Sequence, residues 1–337
     1  MKKTLLALAI AGAAVSAQAD VSISGQVNYT MGDTEDFTND EGFEVNDGNN
    51  SSSRFRFIAS TEANGITYGA RQEWNVGGGN GANPSVRVNE FSIAGDFGKF
   101  RLGTGWESGD DVTEIDFSGT YIAGSGAGGY IVGGTSTDNI DGGRDQRLRY
   151  DSPKLGGVVN IIADYDEADS FGLAVLAGGD NWGAGIFTEQ AGDAAHPTSQ
   201  GTAGDATTNG QKNTDEIGGS VAVKVAGFTA SLQMGKADNS SLTDAGEAKY
   251  RAVILGYNVG KTSFAIHTEN RTVDNAAGTK TVDNTSNGVS FAYRPTGGVE
   301  LYAGFRTAKS KLSDKTVYQN GTSDKGTGFV VGGVVRF

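Results

Sequence analysis

The chain has no cysteine and little proline or histidine, and each shortage narrows the class of protein. Without cysteine it cannot use the disulfides that stabilise small exported domains. Glycine is abundant at 53 residues, but only four prolines accompany it, which excludes a collagen-like chain. The two histidines, His196 and His267, belong to no metal-ligand spacing. Stability must therefore come from another source, and a closed hydrogen-bonded sheet would suffice.

Long apolar runs are also missing, except for one at the N-terminus. Two lysines precede an apolar run over residues 4–15, and the triplet A-Q-A follows at 17–19. This pattern is typical of a secretory signal peptide cleaved before Asp20, and the run is shorter than the roughly 20 residues that a membrane-spanning helix needs. We predict a signal peptide over 1–19 and one exported domain over 20–337, which cannot be an α-helical membrane protein.

The charge balance is acidic and argues against nucleic acid as a partner. The chain has 27 Lys and Arg residues, two of them in the predicted signal peptide, against 40 Asp and Glu residues. A glycine-rich stretch at 124–129 opens no helix and follows no βα unit, so it does not indicate a nucleotide site. Acidic stretches at 46–50 and 138–143 lack full Ca²⁺-ligand spacing. We expect no cofactor.

Alternation of apolar and polar residues is the dominant pattern. In VSISGQVNYT, the apolar residues Val21, Ile23 and Val27 share one face, and polar residues occupy the other. A period of two predicts β-strands. About sixteen segments show it: 21–31, 53–63, 65–76, 86–97, 98–106, 144–152, 156–166, 170–178, 181–190, 214–226, 227–237, 247–258, 260–272, 285–295, 297–308 and 326–337.

Short and long connections alternate between these segments. The short ones include 63–65, 95–98 and 226–227. The long ones are 32–52, 107–143, 191–213, 273–284 and 309–325. Short turns at one end of the sheet and long loops at the other are typical of a membrane β-barrel. Strands of about ten residues match the length of a tilted bilayer span. In lipid, only a closed sheet leaves no strand edge with unpaired backbone groups. We predict an all-β fold, a transmembrane antiparallel β-barrel of about sixteen strands.

The last segment predicts how such a barrel closes. The outward stripe would consist of Phe329, Val331, Gly333, Val335 and Phe337, and the alternate residues Val330, Gly332, Val334 and Arg336 would face the lumen or the polar rim. This strand must pair with the first strand. The terminal aromatic Phe337 also resembles the signal by which outer-membrane proteins are recognised for assembly.

Four stretches of the sequence resemble the Gram-negative general-diffusion porins, the trimeric sixteen-stranded family. They are SSRFRFIASTEANGITYGARQEWNVGGG (51–79), FSIAGDFGKFRLGTG (91–105), LRYDSPKLGGVVNIIADYD (148–166) and the ending at Phe337. The resemblance implies an outer-membrane homotrimer in contact with lipid and lipopolysaccharide, and a loop after the fifth strand, here 107–143, that folds into the lumen and narrows it.

Charged residues of opposite sign would then meet at this constriction. The acids of the loop are Glu107, Asp110, Asp111, Glu114 and Asp116. The inward basic residues of the wall are Arg54, Arg56, Arg71, Arg101, Arg147 and Arg149. Opposed charges of this kind tune ion selectivity. Two alternatives stay open: the acids could form a solvated surface, and the arginines could pair with lumen acids such as Glu62 and Glu73.

The function that these features favour is passive diffusion of ions and small hydrophilic solutes, with a weak preference for cations because acids predominate. No chemical step is implied. Three alternatives remain: a substrate-specific channel, marked by a lumen track of aromatics or lysines; a surface-interaction barrel, acting as an adhesin or receptor; and an outer-membrane enzyme, which would need His267, the only strand histidine.

Overall fold

The computed structural model describes eleven ranges of the chain: 19–33, 43–47, 51–77, 84–113, 115–123, 144–167, 169–190, 215–239, 246–275, 277–311 and 325–337. Most of the predicted signal peptide, Glu114 and the second half of the 107–143 loop lie outside these ranges. The signal peptide therefore stays a prediction. Within the described ranges, no helix has the length and apolarity that crossing a membrane requires.

The described chain is almost entirely strand. The strands are β1 (Asp20–Asp33), β2 (Phe43–Asp47), β3 (Arg54–Ala63), β4 (Ile66–Asn75), β5 (Ser85–Gly95), β6 (Gly98–Trp106), β7 (Arg144–Asp151), β8 (Val159–Asp166), β9 (Phe171–Gly179), β10 (Trp182–Gln190), β11 (Asp215–Val225), β12 (Phe228–Asn239), β13 (Gly246–Val259), β14 (Thr262–Asp274), β15 (Lys280–Thr296), β16 (Val299–Ser310) and β17 (Lys325–Arg336). A one-turn helix, α1 (Asp110–Thr113), and a 3₁₀ turn (Tyr121–Ala123) lie between β6 and β7.

The strands form one closed antiparallel barrel with sixteen positions. From β3 to β17 each strand pairs with the next one in sequence, and β17 returns to β1, with Gln26 opposite Arg336 and Asp33 opposite Phe329. The other edge of β1 is shared, because its first half pairs with β3 and its second half with β2. The short strands β2 and β3 thus occupy one position, and the predicted barrel of about sixteen strands is confirmed.

The closing strand has the predicted alternation. Phe329 and Val331 are each 43% exposed on the outer face, whereas Val330 and Val334, on the lumen side, are at most 1% exposed. Phe337 completes the seam, because its backbone N–H donates to Gly25 O at 3.0 Å and its own carbonyl accepts from Gly25 N–H at 2.8 Å. The outer face is thus apolar, as a lipid-facing surface must be.

A tyrosine on the penultimate strand ties this seam together. Tyr302 of β16 is directly opposite Gly332 of β17, which is in turn opposite Thr30 of β1. Because Gly332 has no side chain, the Tyr302 ring lies over it. The Tyr302 hydroxyl then forms hydrogen bonds of 2.7 Å with both Thr30 Oγ1 and Asn28 Oδ1. Three strands are joined by one buried side chain.

The turns at one end of the barrel are tight hairpins. Asn64 and Gly65 between β3 and β4 have φ of 54° and 74°, and Ala226 and Gly227 between β11 and β12 have φ of 50° and 87°. Two successive positive φ values belong to type I′ turns, which match the twist of the flanking strands. At the other end, the β8–β9 connection over 167–170 is also short.

Two segments predicted as loops are partly strand. The predicted connection 32–52 contains β2, whose five residues pair with the outer half of β1. The predicted connection 273–284 contains the first residues of β15, which begins at Lys280 and extends the β14–β15 hairpin. β2 alternates over only five residues, and the start of β15 is mainly polar, so neither gives an apolar stripe long enough for a strand to be found. Hydrogen bonds to the neighbouring strand order them instead.

Candidate functional site

Four arginines of the inner wall converge on one glutamate. Glu73 of β4 is 1% exposed and accepts ion pairs from Arg54 Nη1 at 3.3 Å, Arg71 Nη2 at 3.1 Å and Arg87 Nε at 3.1 Å. Arg56 Nε donates to Glu73 Oε2 at 2.7 Å. One carboxylate holds four guanidinium groups, and the cluster keeps an excess of three positive charges.

The remaining predicted arginines lie next to this cluster, on β6 and β7. Arg101 Nε is 3.0 Å from Asp151 Oδ2, and Arg149 Nη2 is 2.8 Å from Asp151 Oδ1. Arg147, whose side chain is 1% exposed, has Nη2 3.4 Å from Glu90 Oε1. All six predicted arginines therefore face the lumen. The alternative that they pair with wall acids is confirmed for Glu73.

One loop acid reaches this basic wall. Asp111 in α1 forms an ion pair with Arg149, whose Nη1 also donates to the backbone carbonyls of Trp106 at 3.1 Å and Glu107 at 3.2 Å. Arg149 thus anchors the beginning of the loop to the wall. Seven arginines and four carboxylates, those of Glu73, Glu90, Asp111 and Asp151, meet here.

After α1 the described loop residues run along the inner face of the opposite wall. Val112 is fully buried against β10, where a Cβ on Gly185 would lie 3.1 Å from Val112 Cγ1. Ser220 of β11 donates to the carbonyl of Val112. Ser220 is 6% exposed, whereas Val221 and Val223 beside it are 43% and 44% exposed on the outer face. These contacts are therefore made from inside the barrel.

The segment over 115–123 continues along that wall to β16. Asn258 Nδ2 donates to Phe117 O at 2.8 Å, Arg294 donates to Gly119 O, and Ser290 Oγ donates to Thr120 Oγ1 at 2.9 Å. Ile122 and Ala123 pack in an apolar cluster with Ala292, Tyr302, Ala308, Val330 and Val334. Serine and asparagine side chains of the strands thus satisfy the backbone of a chain segment that has no sheet partner here.

The predicted loop acids do not act as one group. Asp111 forms an ion pair with the predicted arginine Arg149. Asp116 instead accepts from Ser118 N at 2.8 Å and from Ser231 Oγ at 3.4 Å, on the opposite wall. Glu107 is 4% exposed and lies beside Asp145 and Asp166. Asp110 begins α1, and Glu114 lies outside the described residues. The predicted arrangement, in which loop acids face wall arginines across the constriction, therefore stays a prediction.

Arg87 was not predicted, because the strand alternation breaks at its position. Glu73 pairs with Val88 and Trp74 pairs with Val86, so Arg87 is the extra residue of a bulge. Counting by two from the outward Phe91 would place Arg87 outside. The bulge reverses its side, and no local sequence signal indicates it.

His267 faces the lumen, as its parity predicts, and is 5% exposed. It lies opposite Gly288 on β15, where a glycine leaves room for the imidazole ring. Glu269 on the same strand forms a buried ion pair with Arg306 of β16. The histidine therefore lies in the packed wall, where a substrate would have little access to it.

The sequence was compared with known families, and the structure with solved proteins. The profile of the Gram-negative porin family matches residues 4–313. A search of curated proteins gives no match. The solved structures include the trimer form of OmpT, an outer-membrane protein of Vibrio cholerae, with a TM-score of 0.69, 17% identity and coverage of 95% of this chain and 99% of that chain.

Two further solved structures share this fold. An anion-selective porin from Comamonas acidovorans has a TM-score of 0.69 and 18% identity, with 95% of this chain and 100% of that chain covered. A mutant of the Rh. blastica porin has a TM-score of 0.63 and 16% identity, with 94% and 100% covered. At identities of 16–18%, the similarity to these structures shows a shared fold and nothing more.

Proposed function

Because the chain belongs to the Gram-negative porin family, we propose that it forms a water-filled channel through which ions and small hydrophilic solutes diffuse passively. Family and barrel together imply an outer-membrane location. The observation that carries the proposal is the closed β1–β17 seam around an inner wall of arginines and carboxylates. Such a wall is polar and hydrated, as an aqueous channel requires. Passage down a gradient involves no chemical step.

The ion preference of this channel is the finer part of the proposal. The net charge of the chain predicts weak cation preference, but the described wall gives that prediction no support. The ion pairs described around Glu73 and Arg149 join seven arginines to four carboxylates, which leaves an excess of three positive charges among these groups. Fixed charges at a narrow point bias which ions enter. We therefore propose that the arginine wall sets the preference and favours anions, with loop 107–143 narrowing the lumen opposite it.

Assembly and export complete the proposal. The OmpT structure is described as a trimer form, which supports a homotrimer for this chain with lipid and lipopolysaccharide around it. The apolar outer face, where Ile186 is 66% and Ile266 55% exposed, would be covered by lipid or by neighbouring subunits. Residues 1–19 would direct export and be removed.

The test is single-channel recording in a planar bilayer with a KCl gradient. We expect conductance in steps of three and a reversal potential of anion sign. The triple variant Arg54→Gln, Arg56→Gln, Arg71→Gln should move the reversal potential toward cations, because it removes three of the lumen charges. Arg251→Gln, which removes one positive charge from an exposed outward site, should leave the potential unchanged.

Each part of the proposal fails on a different result. Folded protein that gives no conductance steps would contradict the channel. Steps with a cation-sign potential would keep the channel and show that the arginine wall does not set the preference. Conductance that rises in single steps, and not in groups of three, would contradict the trimer.

A further inference from the structure

A second group of carboxylates lies on the inner wall, near the end that carries the long connections. Its members, here called the acid cluster, come from the chain after β6 and from β7, β8, β10 and β11. They are Glu107, Asp145, Asp164, Asp166, Glu189 and Glu216. Five of them are between 4% and 7% exposed, and Asp145 is half-buried. Diffusion through the channel does not explain why so many carboxylates are buried together.

Three of these side chains have the spacing of a cation site. One carboxylate oxygen each from Glu107, Asp145 and Asp166 lies within 4.8 Å of the other two. Calcium takes oxygen ligands at about 2.3–2.6 Å, so ligand oxygens on opposite sides of the ion are about 5 Å apart. The three oxygens can therefore bind one such ion together.

The fourth carboxylate, Glu189, supplies an independent observation. It is 7% exposed, and its Oε2 has no hydrogen-bond partner within the described structure. Its side chain interacts with Glu107, and it is directly opposite Glu216 in the β10–β11 pair. Like charges opposite each other destabilise a sheet, and a buried carboxylate without compensation is costly. A cation bound between Glu189 and Glu107 would remove both costs.

The surrounding backbone holds the carboxylates in place. Ser108 N–H donates to Asp164 Oδ2 at 2.8 Å, and Ser170 N–H donates to Asp166 Oδ1 at 2.9 Å. Gly172 of β9 is paired with Asp164 on one side and Glu189 on the other. A Cβ on Gly172 would lie 2.7 Å from Asp164 Oδ1, so glycine leaves room for these side chains to approach each other.

The arginines described near the acid cluster also contact other carboxylates. Arg147 is opposite Asp166 in the β7–β8 pair, and its Nη2 is 3.4 Å from Glu90. Arg149, two residues further on, contacts Asp111 and Asp151. Arg147 and Arg149 are thus shared between the acid cluster and the carboxylates of the basic wall.

We propose that the acid cluster binds one divalent cation, with Ca²⁺ as the ion of best fit, through Glu107, Asp145, Asp166 and Glu189. Glu107 immediately follows β6, so the bound ion would fasten the start of the loop to three strands of the barrel wall. External Ca²⁺ sites bind with dissociation constants on the order of 0.1–1 mM. The site would therefore be filled or emptied by the divalent-ion content of the medium.

The first test measures Ca²⁺ binding by the folded, full-length barrel in detergent after chelator treatment, by equilibrium dialysis with radioactive Ca²⁺. We expect one ion per chain at saturation. Glu189→Gln and Asp166→Asn should each weaken binding at least about tenfold, because each removes a ligand charge. Asp215→Asn, one residue before Glu216 on the exposed outer face, removes the same charge and should not change binding.

A second measurement needs no variant in the cluster, in case those variants do not fold. Trp106 directly precedes Glu107, so excitation of tryptophan should sensitise the luminescence of Tb³⁺ bound at this site. Added Ca²⁺ should quench the emission by displacing Tb³⁺, whereas equal Na⁺ should not. Trp106→Phe should lose the emission and keep Ca²⁺ binding.

Three results would overturn the site. The first is the lack of saturable Ca²⁺ binding up to several millimolar Ca²⁺. The second is Ca²⁺ binding that Glu189→Gln leaves unchanged. The third is terbium emission that added Ca²⁺ does not reduce. The second would place the ion elsewhere on the acidic surface. The first would show that the acid cluster does not bind Ca²⁺.

Discussion

At the scale of single residues, Glu73 holds the basic wall together. Four guanidinium groups that would repel one another share its two oxygens, at 2.7–3.3 Å for the contacts described above. The carboxylate is 1% exposed, whereas Arg56 and Arg71 are 32% and 31% exposed. The arginines thus remain in contact with lumen water while their common partner is buried.

Glu73→Gln should therefore destabilise the barrel and make the channel more selective for anions. Removing one partner of a buried ion pair costs about 3–5 kcal/mol, and we expect about 3 because lumen water screens the arginines. The measurement is the free energy of unfolding of the folded protein in detergent, together with its reversal potential.

Glu62→Gln is the matched control, because Glu62 is an exposed acid near the hairpin end of β3. Its stability should change by less than about 0.5 kcal/mol. Equal losses in the two variants would show that Glu73 has no special role.

The residues of the site could be predicted only as far as the strand alternation is regular. Arg54, Arg56 and Arg71 follow from counting by two along β3 and β4, and all face the lumen as predicted. Arg87 does not follow, because a bulge reverses its side. The acids were the weaker prediction, since no periodicity fixes where a loop side chain points: Asp111 reaches Arg149, whereas Asp116 turns to Ser118.

At the scale of elements, the strands that close the barrel depend on a polar contact inside it. Tyr302 of β16 crosses β17 above Gly332 and hydrogen-bonds to Asn28 and Thr30 of β1. All three strands of this seam were predicted from alternation. The contact across three strands was not, because it depends on which residues lie opposite each other.

Tyr302→Phe should weaken this closure. Tyr302 is 3% exposed, and Asn28 is fully buried, so the variant leaves buried polar groups without their partner, at a cost of about 1–3 kcal/mol. We expect the unfolding temperature of the folded barrel to fall. Tyr293→Phe removes a hydroxyl from an outward tyrosine that is 38% exposed and should leave that temperature unchanged. An equal effect of both variants would contradict a role for the seam contact.

At the scale of the whole molecule, the number and order of strands could be predicted almost completely. Period-two segments and alternating connection lengths indicated about sixteen strands, and the barrel has sixteen positions. The two departures are β2, which alternates over only five residues, and the mainly polar start of β15. Segments this short or this polar give no clear apolar stripe, so their pairing with a neighbour could not be predicted from the sequence.

We propose that the location of the charges, and not the net charge of the chain, sets its ion preference. If the arginine wall sets the preference, ions in the lumen must screen it: the screening length falls from about 10 Å at 0.1 M salt to about 3 Å at 1 M. We expect the anion-to-cation permeability ratio, measured from reversal potentials at a constant KCl ratio, to fall at least about twofold over that range. The triple variant of Arg54, Arg56 and Arg71 to glutamine should lose most of this salt dependence, whereas Arg251→Gln should retain it. A permeability ratio that does not change with salt would mean that the shape of the lumen, and not the arginine wall, selects the ions.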